Sequence, residues 1–255
     1  MKQILLRADD LGYSEGINVG IAKLVTNNKL RTIGLIINLT YSKNGYELVK
    51  KENICLGLHS NISNGYPILN SKEIPSLVTA NGTFKSSKEY NHSMHNFVNY
   101  NDVYNEVEAQ YLYFKKLTGR KPDYIDAHAV FNATYFKAIE AVALKYGLLY
   151  IPSIADTKEK CSIGSTDLYF WMESMNDDYD PNKTFQEMCQ SKRRACEVMI
   201  LHPGYIDDEL LSTSSLIFPR VKEVEFLMKL KLDEIAEKEQ IDFITYNDLK
   251  KEGKV

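Results

Sequence analysis

A chain of 255 residues with 44% hydrophobic and 25% charged side chains holds enough apolar material for one large core, which excludes a disordered or fibrous protein. Its 31 basic and 34 acidic residues are spread along the chain for a formal charge of -3, so it carries no electrostatic footprint for nucleic acid or an anionic membrane surface. Cys55, Cys161, Cys189 and Cys196 form neither a CxxC pair nor a dense framework, and the apolar run within residues 1–9 is too short for a signal-peptide core; the expectation is a single domain, 1–255, with reduced thiols, in the cytoplasm.

Residues 3–8 form a short apolar run that predicts a strand, and Asp9 and Asp10 follow it. Ser14 then stands where an N-cap would, ahead of Ile17, Ile21 and Leu24 at helical spacing. A strand over 32–37, a short helix over 46–50 and a strand over 54–58, which ends at His59, continue the alternation typical of parallel β/α units. Residues 60–99 break it: rich in Asn, Ser, Gly, Lys and Tyr, they read as a long loop excursion of the kind that covers active sites. A long helix follows with Val103, Val107, Tyr111, Phe114 and Leu117 on one face, stopped by Gly119 and Pro122 before the strand Tyr124–Ala127 and His128. Phe136, Ile139, Ala143 and Tyr146 mark another helix, 148–151 a strand, and 155–181 a second irregular stretch. The strand 197–201 delivers His202, one last helix carries Val221, Val224, Met228, Leu232 and Ile235, and the strand 242–245 closes the series. Such a series, with polar residues gathered at strand C-termini, predicts an irregular TIM-like (β/α) barrel of about seven strands; an open doubly wound sheet is the alternative.

Three of the five histidines, His59, His128 and His202, fall directly after predicted strands, as Asp9 and Asp10 do. In a parallel barrel these positions meet at one face, and a carboxylate with two imidazoles is a ligand set for Zn²⁺, or for a harder divalent ion whose shell is completed by water. A lone histidine there is more often structural, and Asp suits turns; two adjacent carboxylates after an apolar strand nevertheless repel unless a cation or a basic group offsets them. His92 and His95 are a weaker second pair in a polar loop. Tyr169, Phe170 and Trp171 offer either an aromatic platform for a sugar ring or core packing.

The blocks Ala8-Asp9-Asp10-Leu11-Gly12 with Glu15-Gly16-Ile17-Asn18, Gly57-Leu58-His59, Asp126-Ala127-His128, Leu201-His202-Pro203-Gly204 and Arg220 with Glu223 or Glu225 resemble, in order, those of the YdjC-like carbohydrate deacetylases, relatives of the wider polysaccharide deacetylases. One departure stands out: family members often continue the third block with further histidines, where this chain has Ala129-Val130-Phe131-Asn132. The resemblance implies a (β/α) barrel that removes an N-acetyl group from a small sugar or oligosaccharide with one bound Mg²⁺ or Zn²⁺. By position, Asp10, His59 and His128 would hold the metal, Asp9 would act as general base, and His202 would protonate the leaving amine or steady the oxyanion. Asp126, two residues from His128 along a strand, suits an orienting role; Arg220 is expected to pair with an active-site carboxylate, and Trp171 to serve the substrate side. The alternatives are another metallohydrolase on the same barrel, such as a phosphoesterase or non-sugar amidohydrolase, or a sugar-binding relative without turnover. The sequence leaves a homodimer open.

Overall fold

The computed structural model describes residues 1–152 and 161–252. Nine strands form one sheet: β1 (Lys2–Leu11), β2 (Thr32–Leu35), β3 (Cys55–Ser60), β4 (Tyr124–Ala127), β5 (Leu149–Tyr150), β6 (Cys161–Ile163), β7 (Thr166–Trp171), β8 (Cys196–Leu201) and β9 (Ile241–Phe243). The helices are α1 (Glu15–Thr26), α2 (Ser42–Val49), α3 (Ser87–His92), α4 (Tyr100–Thr118), α5 (Ala133–Tyr146), α6 (Pro181–Gln190), α7 (Asp208–Thr213), α8 (Phe218–Lys229), α9 (Leu232–Glu239) and α10 (Tyr246–Glu252). The strand order is β5-β4-β3-β2-β1-β8-β7-β6, with β9 beside the start of β1; among the described residues every ladder is parallel except β6 with β7. The sheet curls into a (β/α) barrel, irregular in that no ladder joins β5 to β6 among the described residues.

Period-2 alternation sorts the side chains into two cores. Ile4, Leu6 and Ala8 of β1, Leu56 and Leu58 of β3, and Met199 and Leu201 of β8 face the helices. Leu5, Cys55, Tyr124, Leu168, Val198 and Ile200 fill the barrel interior. Inward positions therefore climb β1 as Leu5, Arg7, Asp9, climb β3 as Cys55, Gly57, His59, and climb β4 as Tyr124, Asp126, so that the upper rungs are polar and the lower ones apolar. Capping fixes where the helices begin and end: Ser14 accepts from the Ile17 amide at the start of α1, Asn132 does the same for Thr134 and Tyr135 at α5, and Gly119 ends α4 at φ 72°.

The two strands beyond the expected seven are β6 and β7, a hairpin inside the stretch read as irregular; residues 155–160 of that stretch lie outside the described residues. Gly164 turns the hairpin at φ 59°, and β7 continues the sheet beside β8. The expected last helix is two helices, because Leu230 leaves helical geometry with ψ 134° and its carbonyl accepts from Lys29 Nζ. Leu232 and Ile235 keep the apolar spacing across that break, which hides it in the sequence. The excursion 60–99 is tied down by Glu106 of α4, whose buried carboxylate accepts from the amides of Ile68 and Leu69.

Candidate metal centre

Alternation alone would send Asp9 and Asp10 to opposite faces of the sheet. It fails at Asp10, which adopts φ 73° where the β1–β2 register shifts, so both carboxylates enter the barrel mouth. Each is then claimed by a different arginine. Arg7 Nε and one terminal nitrogen donate to the two oxygens of Asp9 at 2.7 and 2.6 Å, and the same guanidinium donates to Asp126. Arg220, from α8, donates to Asp10 Oδ2 at 2.8 Å and to the His202 carbonyl at 3.2 Å. All five side chains, Arg7, Asp9, Asp126, Arg220 and Asp10, are buried, so the pairs are desolvated and leaving any member unpaired would be costly.

Asp10 Oδ1 accepts no well-aligned hydrogen bond. It lies 3.0 Å from His128 Nδ1 and 3.5 Å from His59 Nε2, and those two nitrogens are 3.2 Å apart. Around a divalent ion held at about 2.0–2.2 Å, neighbouring ligand atoms of a tetrahedral or octahedral shell stand about 3.0–3.5 Å apart, so this triangle fits a metal ion. His59 Nδ1 faces Asp126 Oδ1 at 3.0 Å; a proton held there leaves the Nε2 lone pair for the ion. Gly34 of β2 makes the space: a Cβ there would stand 2.9 Å from Asp9 Oδ1 and 3.2 Å from His59 Cβ.

The electrostatics favour positive charge on His59 and ionised carboxylates beside it. Burial opposes charge on His59, yet Asp126, Asp9 and Asp10 outweigh it and lift its pKa to about 10. Burial likewise opposes the Asp10 carboxylate, but His128 and Arg220 hold its pKa well below the usual range; Arg7 and His59 hold Asp9 low against the same opposition. His202 behaves differently: burial lowers its pKa to about 4 against the pull of Asp10, so it stands neutral, with Nδ1 3.2 Å from Ser174 Oγ. Its backbone amide donates to Glu223 Oε2 at 2.6 Å.

Of the residues expected from sequence, Asp9, Asp10, His59, His128, His202, Asp126 and Arg220 all line one cleft of about 900 Å³. Trp171 is not brought there. It sits on the helix-facing side of β7, where its indole donates to Glu197 at 2.7 Å, because inward positions of that strand are Leu168 and Phe170. His92 and His95 are exposed and join no ligand cluster among the described residues. Of the two glutamates named with Arg220, Glu223 is buried beneath His202 and Glu225 is exposed. Arg7 and Gly34 were not singled out from sequence; a basic residue two positions before Asp9 on the same strand face, and a glycine inside a strand, are the signals that mark them. The excursion supplies Ser63, Asn64, Phe84, Lys88 and Asn91 to the cleft wall, as expected of it.

The sequence profile described as YdjC-like protein matches residues 3–238. The carbohydrate deacetylase of Oceanobacillus iheyensis is 28% identical over 242 residues, covering 92% of this chain and 100% of the relative. Carbohydrate deacetylase 2 of Listeria innocua is 26% identical over 264 residues, covering 98% and 99%. Among solved structures, an Enterococcus faecalis V583 protein named for cellobiose-phosphate cleavage superposes with a TM-score of 0.81 at 24% identity, over 98% of this chain and 99% of that one, a likeness of fold. The Xyl-CE4 domain of a multidomain xylanase from the hindgut metagenome of Trinervitermes trinervoides gives 0.55 at 12% identity, over 99% and 91%.

Proposed function

The chain belongs to the YdjC-like protein family, and from that premise we propose that it is a carbohydrate deacetylase, removing the N-acetyl group from a small amino sugar or chito-oligosaccharide with one divalent metal ion. The observation that carries the reading is the triangle of Asp10 Oδ1, His59 Nε2 and His128 Nδ1 at the floor of the cleft. Two imidazoles beside one carboxylate favour Zn²⁺ over Mg²⁺ as the ion.

Bound there with an open coordination position, the ion would polarise the acetyl carbonyl and acidify a water molecule. Asp9 is ionised, and with Arg7 taking one lone pair on each oxygen it keeps others free to receive the proton of the attacking water. Arg7 also fixes Asp126, which orients His59. Neutral His202 can donate a hydrogen bond to the developing oxyanion or relay a proton to the leaving amine, and Glu223 and Arg220 hold its backbone in place. The same reading takes residues 1–255 as one domain of a cytoplasmic protein; no helix among the described residues is long and apolar enough to cross a membrane. Acetate release from a panel of mono- and di-N-acetyl sugars, free and phosphorylated, tests it. Acetate is the expected product; phosphate release without acetate would replace this reading with a phosphoesterase, and binding without either product with a sugar-binding relative.

A further inference from the structure

Directly after His128 the chain makes a turn that the chemistry above does not use. Ala129 adopts φ 51°, a left-handed conformation that a residue with a Cβ rarely takes, and the Val130 amide donates back to the His128 carbonyl at 2.6 Å. The turn is held from outside. Asn91, on α3 of the excursion, donates from Nδ2 to the Ala129 carbonyl at 3.0 Å and accepts at Oδ1 from the Phe131 amide at 2.8 Å. Asn96 adds a second pair of contacts, donating to Thr134 Oγ1 at 2.8 Å and accepting from Asn132 Nδ2 at 3.0 Å. The product of this arrangement is Phe131, a cleft-lining aromatic left 45% exposed, where an unliganded core position would be covered. Met175, also lining the cleft, is 61% exposed.

We infer that Phe131 is a specificity-determining residue, a stacking platform for the apolar face of the sugar ring next to the one being deacetylated, and that Asn91 is the positioning residue that presents it. The inference rests on the carbohydrate reading above. Phe131 stands three positions beyond His128, which limits their Cα separation to about 11 Å, a sugar unit or two from the ligand triangle. An aromatic face gains from stacking without needing any particular hydroxyl pattern, so the platform selects for the presence of a second ring rather than for its identity. Asn91 bonds the Phe131 amide and not its ring, which is left 45% exposed in the cleft.

Kinetics of acetate release and the fluorescence of Phe131→Trp test this together. For a di-N-acetyl disaccharide, Phe131→Ala is expected to raise KM by about 3- to 10-fold with kcat falling less than twofold, and to raise KM for the monosaccharide less than twofold. Phe131→Trp is expected to keep the native KM within about twofold and to shift its emission on titration with disaccharide, while the native protein, whose single tryptophan lies outside the cleft, does not respond. Asn91→Ala is expected to raise KM as Phe131→Ala does, and the double variant to add less than twofold, a non-additivity that mere loosening of the fold would not give. Equal KM effects on mono- and disaccharide, or acetate release with no emission shift, would overturn the platform. An emission shift without acetate release would leave the platform standing and defeat the deacetylase reading; neither shift nor acetate would defeat both.

Discussion

The adjacent carboxylates Asp9 and Asp10 are one peptide bond apart, yet they live in different surroundings. Asp9 has both oxygens in the grip of Arg7, a residue of its own strand, which also reaches Asp126. Asp10 has one oxygen on Arg220, 210 positions away, and the other turned without a hydrogen-bond partner toward His59 and His128. The difference lies in the backbone: Asp9 follows the strand's alternation and Asp10 breaks it at φ 73°. A fully paired carboxylate and a half-paired one divide the chemistry, the first as a fixed anion that receives a proton, the second as a ligand.

Exchanging the two positions is the strongest way to break that division. Asp10→Ala should strip the metal and with it essentially all acetate release, whereas Asp9→Asn should retain metal while turnover falls by roughly 10²- to 10⁴-fold, the usual scale for losing a general base. Metal content by atomic spectroscopy beside acetate release reads both; metal retained in Asp10→Ala would reverse the roles. The arginines sharpen the comparison next. Arg220→Lys, which keeps charge but loses the forked contact to Asp10 and the His202 carbonyl, should weaken metal affinity or activity by about 10- to 100-fold. Arg7→Met strands two buried carboxylates and should destabilise the protein by about 3–5 kcal/mol. A melting temperature within a degree or two of the native protein would show that Asp9 and Asp126 are paired some other way.

A smaller effect concerns the Arg220 side of the site. Burial pushes the Glu223 carboxyl up to about 8, although hydrogen bonds from Tyr179 and the His202 amide pull it down. An acid whose pKa is raised on folding contributes stability that is complete below its ordinary value of 4.5 and is lost as pH rises through about 8. Glu223→Gln should flatten that decline by up to about 1.4 kcal/mol per pH unit between those limits, measured in chelator by urea unfolding. An unchanged slope would mean that Glu223 is not protonated in the native protein.

Much of this was legible in the sequence because strand ends are. His59, His128 and His202 follow apolar runs, and in a parallel barrel that position alone brings them to one mouth. What escaped was whatever depends on geometry within an element. Trp171 looked like a platform, but one step of alternation put it outside the barrel with Glu197, while Phe131, in a loop with no periodicity, reached the cleft. Arg7 lay hidden in an apolar strand because its partners are carboxylates that only the folded barrel brings within reach. The hairpin of β6 and β7 escaped because β6 is three residues long and β7 opens on the polar Thr166 and Asp167, leaving a short apolar run.

The central claim is that a metal ion on Asp10, His59 and His128 serves the removal of an acetyl group from an amino sugar. Its most direct test is to deplete the purified protein with a chelator and restore Zn²⁺ or Mg²⁺ stepwise while following acetate release from a di-N-acetyl disaccharide. Release should vanish with the metal and return in proportion to a single equivalent, with Zn²⁺ the more effective ion. Acetate release that persists once metal content has fallen below one part in a hundred, an on-the-order-of limit set by the turnover expected for a residual loaded fraction, would contradict it.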